Sequence, residues 1–134
     1  MRNLCLLAAT AALAGCSTAP QPGPTARAEA EFQQLTAGRV AGAPVSCIPS
    51  SRKQDMVVID DRRVAFRDGN RVFLNDFRGG QCSRLGSGFY TLVTRMSGSG
   101  MCSGDLAEVV DLSSGMTMGT CVLGDFVPYT RAGV

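Results

Sequence analysis

The sequence predicts a mainly β protein. The expected architecture is a small antiparallel barrel or sandwich of about six to eight short strands, preceded by a short N-terminal helix and a lipid-anchored tether. Three observations point there. Downstream of residue 38, short runs rich in Val, Ile, Phe and Tyr alternate with turns rich in Gly, Asn, Asp and Ser. No long apolar stripe of helical period occurs in that stretch. Four cysteines, Cys47, Cys82, Cys102 and Cys121, are spread through it, as suits a small domain stapled by disulfides.

The N-terminus reads as a secretory signal. Met1-Arg2-Asn3 is positively charged, Leu4 to Gly15 is apolar or small, and Leu13-Ala14-Gly15-Cys16 closes the run. The apolar stretch is too short to cross a ~30 Å hydrocarbon core as a helix. Leu13-Ala14-Gly15-Cys16 resembles a bacterial lipobox. That resemblance implies removal of residues 1–15 and acylation of Cys16, with palmitate-type chains holding the protein to a membrane. Ser17, rather than Asp, follows the cysteine. In proteins with this signal that implies the outer membrane, with the domain facing the periplasm.

Residues 16–37 form the second segment. Ser17 to Thr25 carries Pro20, Pro22 and Pro24 and reads as an extended tether. Ala26 to Ala37 is built mostly of helix formers. Phe32 and Leu35 form one short apolar stripe, and Gly38 is placed to end the helix.

Residues 38–134 form the β domain. Strands are expected over Pro44–Ile48, Met56–Asp60, Arg62–Arg67, Arg71–Phe77, Phe89–Met96, Leu106–Leu112, Met116–Leu123 and Phe126–Tyr129. Asp68-Gly69-Asn70 is a hairpin turn, since Gly and Asn tolerate positive φ. A three-residue loop would put Val64 and Phe66 on one face with Val72 and Leu74, whereas a two-residue loop would pair Phe66 with Phe73. Gly119 and Gly124 mark bulges or bends. Pro128 marks an edge or a strand end.

Cys5 leaves with the signal and Cys16 takes lipid, so four thiols remain in an oxidising compartment. Their wide spacing suits two disulfides better than a zinc site. The favoured pairing is Cys47–Cys121 with Cys82–Cys102. The first would tie the opening strand to the closing one. The second would close a loop of about 20 residues, worth about 3 kcal/mol.

Composition narrows the chemistry. The chain has 13 Lys and Arg against 11 Asp and Glu, and no His. Without His, the usual general base, triad partner and commonest metal ligand are missing. The arginines are scattered. A patch from Arg62, Arg63, Arg67 and Arg71 reads more simply as solvated hairpin faces than as a nucleic-acid footprint. Lys53, the single lysine, lies in a polar loop. Ser97-Gly98-Ser99-Gly100 lacks the Gly-Lys-Ser/Thr ending of a phosphate loop. Asp60, Asp61, Asp68 and Asp76 match no calcium-loop spacing, and Asp60-Asp61-Arg62 suits a turn. Of Met116 and Met118, one is expected to face the core and the other solvent, and core packing suits them better than Cu(I) binding. No catalytic residue, metal or cofactor is expected.

The order Cys47-Ile48, Val58-x-Asp60-Asp61, Cys82-x-x-Leu85, Met101-Cys102-x-Gly104-Asp105 and Cys121-x-Leu123-Gly124-x-Phe126-x-Pro128 resembles a family of small bacterial lipoproteins whose domain has no known function. Ser83 stands where many relatives have Pro, within a turn. The resemblance implies an envelope location and a β-rich domain, and brings no activity. The expected function is therefore a lipid-anchored, non-catalytic envelope module that binds a protein, peptide or glycan. The alternative is a small enzyme or enzyme inhibitor with an Asp/Arg pocket that uses Asp60, Asp61, Asp76 or Asp105.

Overall fold

The computed structural model describes residues 25–49, 54–80, 82–96, 98 and 100–133. The signal segment, Cys16, the tether up to Pro24, and Lys53 lie outside the described residues.

The helix α1 spans Ala26–Thr36. The Thr25 hydroxyl caps it by accepting the Ala28 N–H at 3.2 Å. Gly38, at φ 68°, turns the chain out of it. Ten strands follow among the described residues: β1 (Arg39–Ala41), β2 (Cys47–Pro49), β3 (Gln54–Val58), β4 (Arg63–Asp68), β5 (Arg71–Asp76), β6 (Tyr90–Thr94), β7 (Gly100–Cys102), β8 (Leu106–Asp111), β9 (Thr117–Val122) and β10 (Phe126–Arg131).

All strand pairs are antiparallel. They form a five-stranded sheet in the order β1-β10-β5-β4-β3, a two-stranded sheet β2-β7, and a three-stranded sheet β6-β8-β9. The fold is mainly β as expected, and no closed barrel forms. The strand count exceeds the expected range because β1 and β7, three residues each, were not expected. Such runs are too short to show alternation in a sequence. The expected Pro44–Ile48 strand is in fact an isolated bridge, Val45 to Phe126, followed by β2.

Alternation in β4 and β5 explains the layering. Val64, Phe66 and Phe73 point to one side of the large sheet, and Ala65, Val72 and Leu74 to the other. The first side packs with Ile48, Leu92, Met101, Ala107, Val109 and Leu123 of the smaller sheets into the main core. Phe66 and Phe126 meet there at 6.0 Å between ring centroids. The second side is covered by α1, with Ala28 buried and Phe32 and Leu35 packed beside Tyr129. A sheet buried on both faces needs apolar residues at consecutive positions, which accounts for Val64-Ala65-Phe66 and Val72-Phe73-Leu74.

The hairpin register settles the open alternative. Asp68 pairs with Arg71, so Gly69-Asn70 is a two-residue loop and Phe66 pairs with Phe73. Pro128 is neither an edge nor a strand end, because β10 continues to Arg131. Pro128 pairs with Phe73 on one side, and its carbonyl accepts the Gly42 N–H at 2.7 Å on the other. Its missing N–H therefore falls beyond the end of β1, where no ladder donor is needed.

The disulfide pairing differs from the favoured one. The bridges are Cys47–Cys102 and Cys82–Cys121. Cys47 and Cys102 stand directly opposite each other in the β2–β7 ladder, with Cα atoms 4.1 Å apart. The Ser103 N–H bonds the Ser46 carbonyl, which makes this a non-hydrogen-bonded pair, the closer of the two antiparallel types. The opening strand therefore binds the seventh, not the closing one. Cys121 is left on the inner face of β9. The chain before β6 crosses there, with Arg78 bridging Val122, and delivers Cys82.

Candidate functional site

A cleft of about 450 Å³ opens between the first turn of α1, the chain from Val58 to Arg62, and the segment Arg84–Gly88. Ala28, Val58, Ile59, Leu85 and Tyr90 give it an apolar lining. Arg27, Glu31, Arg62 and Arg84 form its charged rim. A concave apolar site with a few polar groups is the usual form of a binding pocket.

Two adjacent aspartates build the cleft wall. The Asp60 carboxylate accepts the N–H groups of Arg62 and Arg63, both at 2.8 Å. Its second oxygen takes the Arg63 guanidinium through Nε at 3.0 Å and Nη2 at 2.9 Å. Asp61 reaches across the cleft wall to accept Gly86 N–H at 2.6 Å and Arg84 N–H at 3.2 Å. The Cys82 N–H also donates to the Asp61 carbonyl. Asp61 thus ties the Arg84–Gly88 segment to the β3–β4 turn. That segment holds a 3-10 turn over Leu85–Ser87. Arg84 has φ 74°, the left-handed region that non-glycine residues rarely adopt.

The other sequence candidates are dispersed. Asp105 accepts the Cys102 N–H at 2.7 Å in the β7–β8 turn. Asp68 pairs with Arg71 at 3.4 Å at the β4–β5 hairpin. Asp76 ends β5, outside the cleft. Partial desolvation raises the Asp76 pKa, outweighing the nearby Arg63 guanidinium. Of the proposed arginine patch, Arg63 and Arg71 are engaged by Asp60 and Asp68. Among the described residues, no group of three His, Cys, Asp or Glu side chains is arranged to hold a metal ion. No described helix is long and apolar enough to cross a membrane.

A second surface was not legible in the sequence. Met116 and Met118 are both exposed, whereas one of the two was expected to face the core. Met116 precedes β9 in the turn. Met118 lies where the β8–β9 register shifts. β9 is an edge strand whose residues Thr117 to Thr120 are exposed. The Val122 carbonyl points away from β8 and accepts the Arg78 N–H at 2.9 Å. By the two-residue period, the N–H and C=O of Thr120 point to that same open side. β9 (TMGTCV) contains neither a charge nor a proline, the residues that usually blunt a free edge.

Compared with protein-family models, curated proteins and solved structures, the chain matches none.

Proposed function

We propose that this is a lipid-anchored envelope protein whose β domain is a non-catalytic binding module, offering the free edge of β9 to an extended segment of a partner protein. The observation that carries this reading is the unprotected β9 edge beside Met116 and Met118. In strand addition the partner's main chain completes the ladder, and pockets or apolar side chains alongside set specificity. Anchoring rests on the lipobox ending at Cys16, and an oxidising location is supported by the two disulfides. The membrane reached this way is the outer membrane, with the domain in the periplasm.

The alternative, an enzyme or inhibitor with an Asp/Arg pocket, would have to use the cleft. Asp60 and Asp61 are already engaged there by backbone N–H groups and Arg63, so they serve the wall rather than a reacting group. A photo-crosslinking residue at Thr117 in cells tests the proposal. Thr120→Pro removes the outward donor while leaving the β8 ladder bonds in place. A discrete adduct at Thr117 that disappears with Thr120→Pro is the expected result. No adduct beyond that given by the same crosslinker at Gln33 on α1 would remove the basis for this reading.

A further inference from the structure

We infer that the face around the root of the tether docks on the anionic phospholipid surface that holds the anchor. Arg27, Arg62 and Arg84 would meet headgroup phosphates there, and Phe89 and Leu112 would enter the interfacial layer. This rests on the lipid-anchored reading of Cys16.

The geometry of attachment comes first. Eight residues separate Cys16 from Thr25, which caps α1. Fully extended, they reach about 30 Å at most. The face on which α1 begins is therefore close enough to touch the membrane surface. That first turn lines the cleft opposite Gly88 and Tyr90, and Phe89 lies between those two residues.

The apolar group comes second. Phe89 is 73% exposed and Leu112 is 64% exposed. They stand side by side, since the Leu112 N–H donates to the Phe89 carbonyl at 3.0 Å and the two residues face each other across the ladder. Large contiguous apolar side chains in water mark an interaction site. An aromatic ring with an aliphatic neighbour suits the headgroup boundary.

Charge comes third. Arg27, Arg62 and Arg84 are exposed and make no ion pair among the described residues. The opposing carboxylates are drawn inward. Asp60 and Asp61 are half-buried and hydrogen-bonded to the wall, and Glu31 is half-buried on the rim. Asp111, beside Leu112, is bonded to Ser113 and Ser114. The three unpaired arginines outweigh these carboxylates, and each arginine beside an anionic leaflet favours docking.

The chain contains no Trp, so one introduced Trp reports its own surroundings. The mature lipidated protein is reconstituted into vesicles of phosphatidylethanolamine and phosphatidylglycerol containing a shallow brominated lipid. Phe89→Trp is compared with Leu106→Trp, an exposed site at the opposite end of β8. The expected result is a blue shift and strong quenching for Phe89→Trp, with neither for Leu106→Trp. Replacing Arg27, Arg62 and Arg84 by Gln together weakens docking by about a hundredfold and restores the emission seen in phosphatidylcholine.

Equal quenching at the two sites overturns the proposal. So does a Phe89→Trp signal unaffected by the arginines, or one that shifts in whole envelopes but not in pure lipid, which would indicate a protein partner. An intact mass lacking acyl chains on Cys16 also overturns it, and separately removes the anchored reading. Failure of the Thr117 crosslink bears on partner binding alone.

Discussion

Asn75 and Gly124 exchange two hydrogen bonds: the Asn75 amide donates to the Gly124 carbonyl at 2.8 Å and accepts the Gly124 N–H at 3.0 Å. Asn75 is the one fully buried polar side chain among the described residues. It stands in β5 opposite Phe126. The chain between β9 and β10 must turn beside it, and the Asn75 amide stands in for the ladder partner that the turn lacks. Gly124 also lies so close to the Asp76 carbonyl oxygen that any Cβ would collide with it.

Asn75→Leu leaves both groups of Gly124 buried and unpaired, so a loss of about 3 kcal/mol is expected from urea unfolding. Asn75→Asp discriminates the mechanism. Its ionised carboxylate accepts the Gly124 N–H but faces the Gly124 carbonyl without a proton to donate. Its deficit should shrink as the buffer is acidified, while that of Asn75→Leu stays constant. Equal deficits at both pH values would mean that volume, not hydrogen bonding, is what Asn75 supplies.

The two disulfides differ in access. Cys47 is exposed, whereas Cys82 and Cys121 are buried in the main core. Exchange requires a thiolate to reach a sulfur, so Cys47–Cys102 should be reduced first under mild dithiol. Each bridge closes a long loop, with separations of 55 and 39 residues. Removing either as a Cys→Ala pair should cost about 4 kcal/mol. Non-reducing peptide mapping should join Cys47 to Cys102. A Cys47–Cys121 peptide would contradict the ladder.

What the sequence revealed depended on how local the signal was. The helix, the Gly69-Asn70 hairpin and the seven longer strands each carry a periodic or turn signal within a few residues. The cysteine partners do not. Cys47 meets Cys102 only because β2 is the neighbour of β7, which is too short to be recognised. The cleft was half legible. Asp60-Asp61-Arg62 read correctly as a turn, but nothing in the sequence brings Asp61 to Gly86, 25 positions on. Counting back by twos from buried Cys121 puts Met116 and Met118 on the outward face, but nothing in the sequence marked Cys121 as the inward residue.

Arg63, the first residue of β4, joins α1 to the β3–β4 turn. Its guanidinium is paired with Asp60, lies 5.2 Å from the Phe32 ring centroid, and approaches Glu29 at 3.8 Å. The side chains of Arg63 and Asp60 are only 14% and 16% exposed, so the pair is poorly screened. Arg63→Met keeps the apolar stem and removes the charge. About 2 kcal/mol should be lost, with faster amide exchange concentrated in α1. In a cycle with Asp60→Asn the two losses should be clearly non-additive. Additive losses would show that Arg63 holds α1 through Phe32 alone.

Acid should act on two aspartates in opposite directions. Asp111 closes the β8–β9 turn by accepting the Ser113 hydroxyl, the Ser114 N–H at 2.9 Å and the Ser113 N–H at 2.8 Å. These bonds, the Ser113 side chain foremost, lower its pKa from 3.8 to about 2. A carboxyl whose folded pKa is depressed stabilises the fold above its unfolded pKa, and that contribution fades as pH falls from 3.8 through about 2. Asp76 has the reverse sign. Desolvation raises its folded pKa, so its protonated form favours folding and the benefit is lost as pH rises through that value. Urea midpoints measured from about pH 6 down to about pH 2 should therefore show Asp111→Asn converging on the wild type at the acid end. Asp76→Asn should instead fall off more steeply in acid than the wild type, since it lacks the compensating protonation. Parallel midpoint curves for wild type and Asp111→Asn would mean that the Ser113–Ser114 turn keeps its shape without the carboxylate's charge.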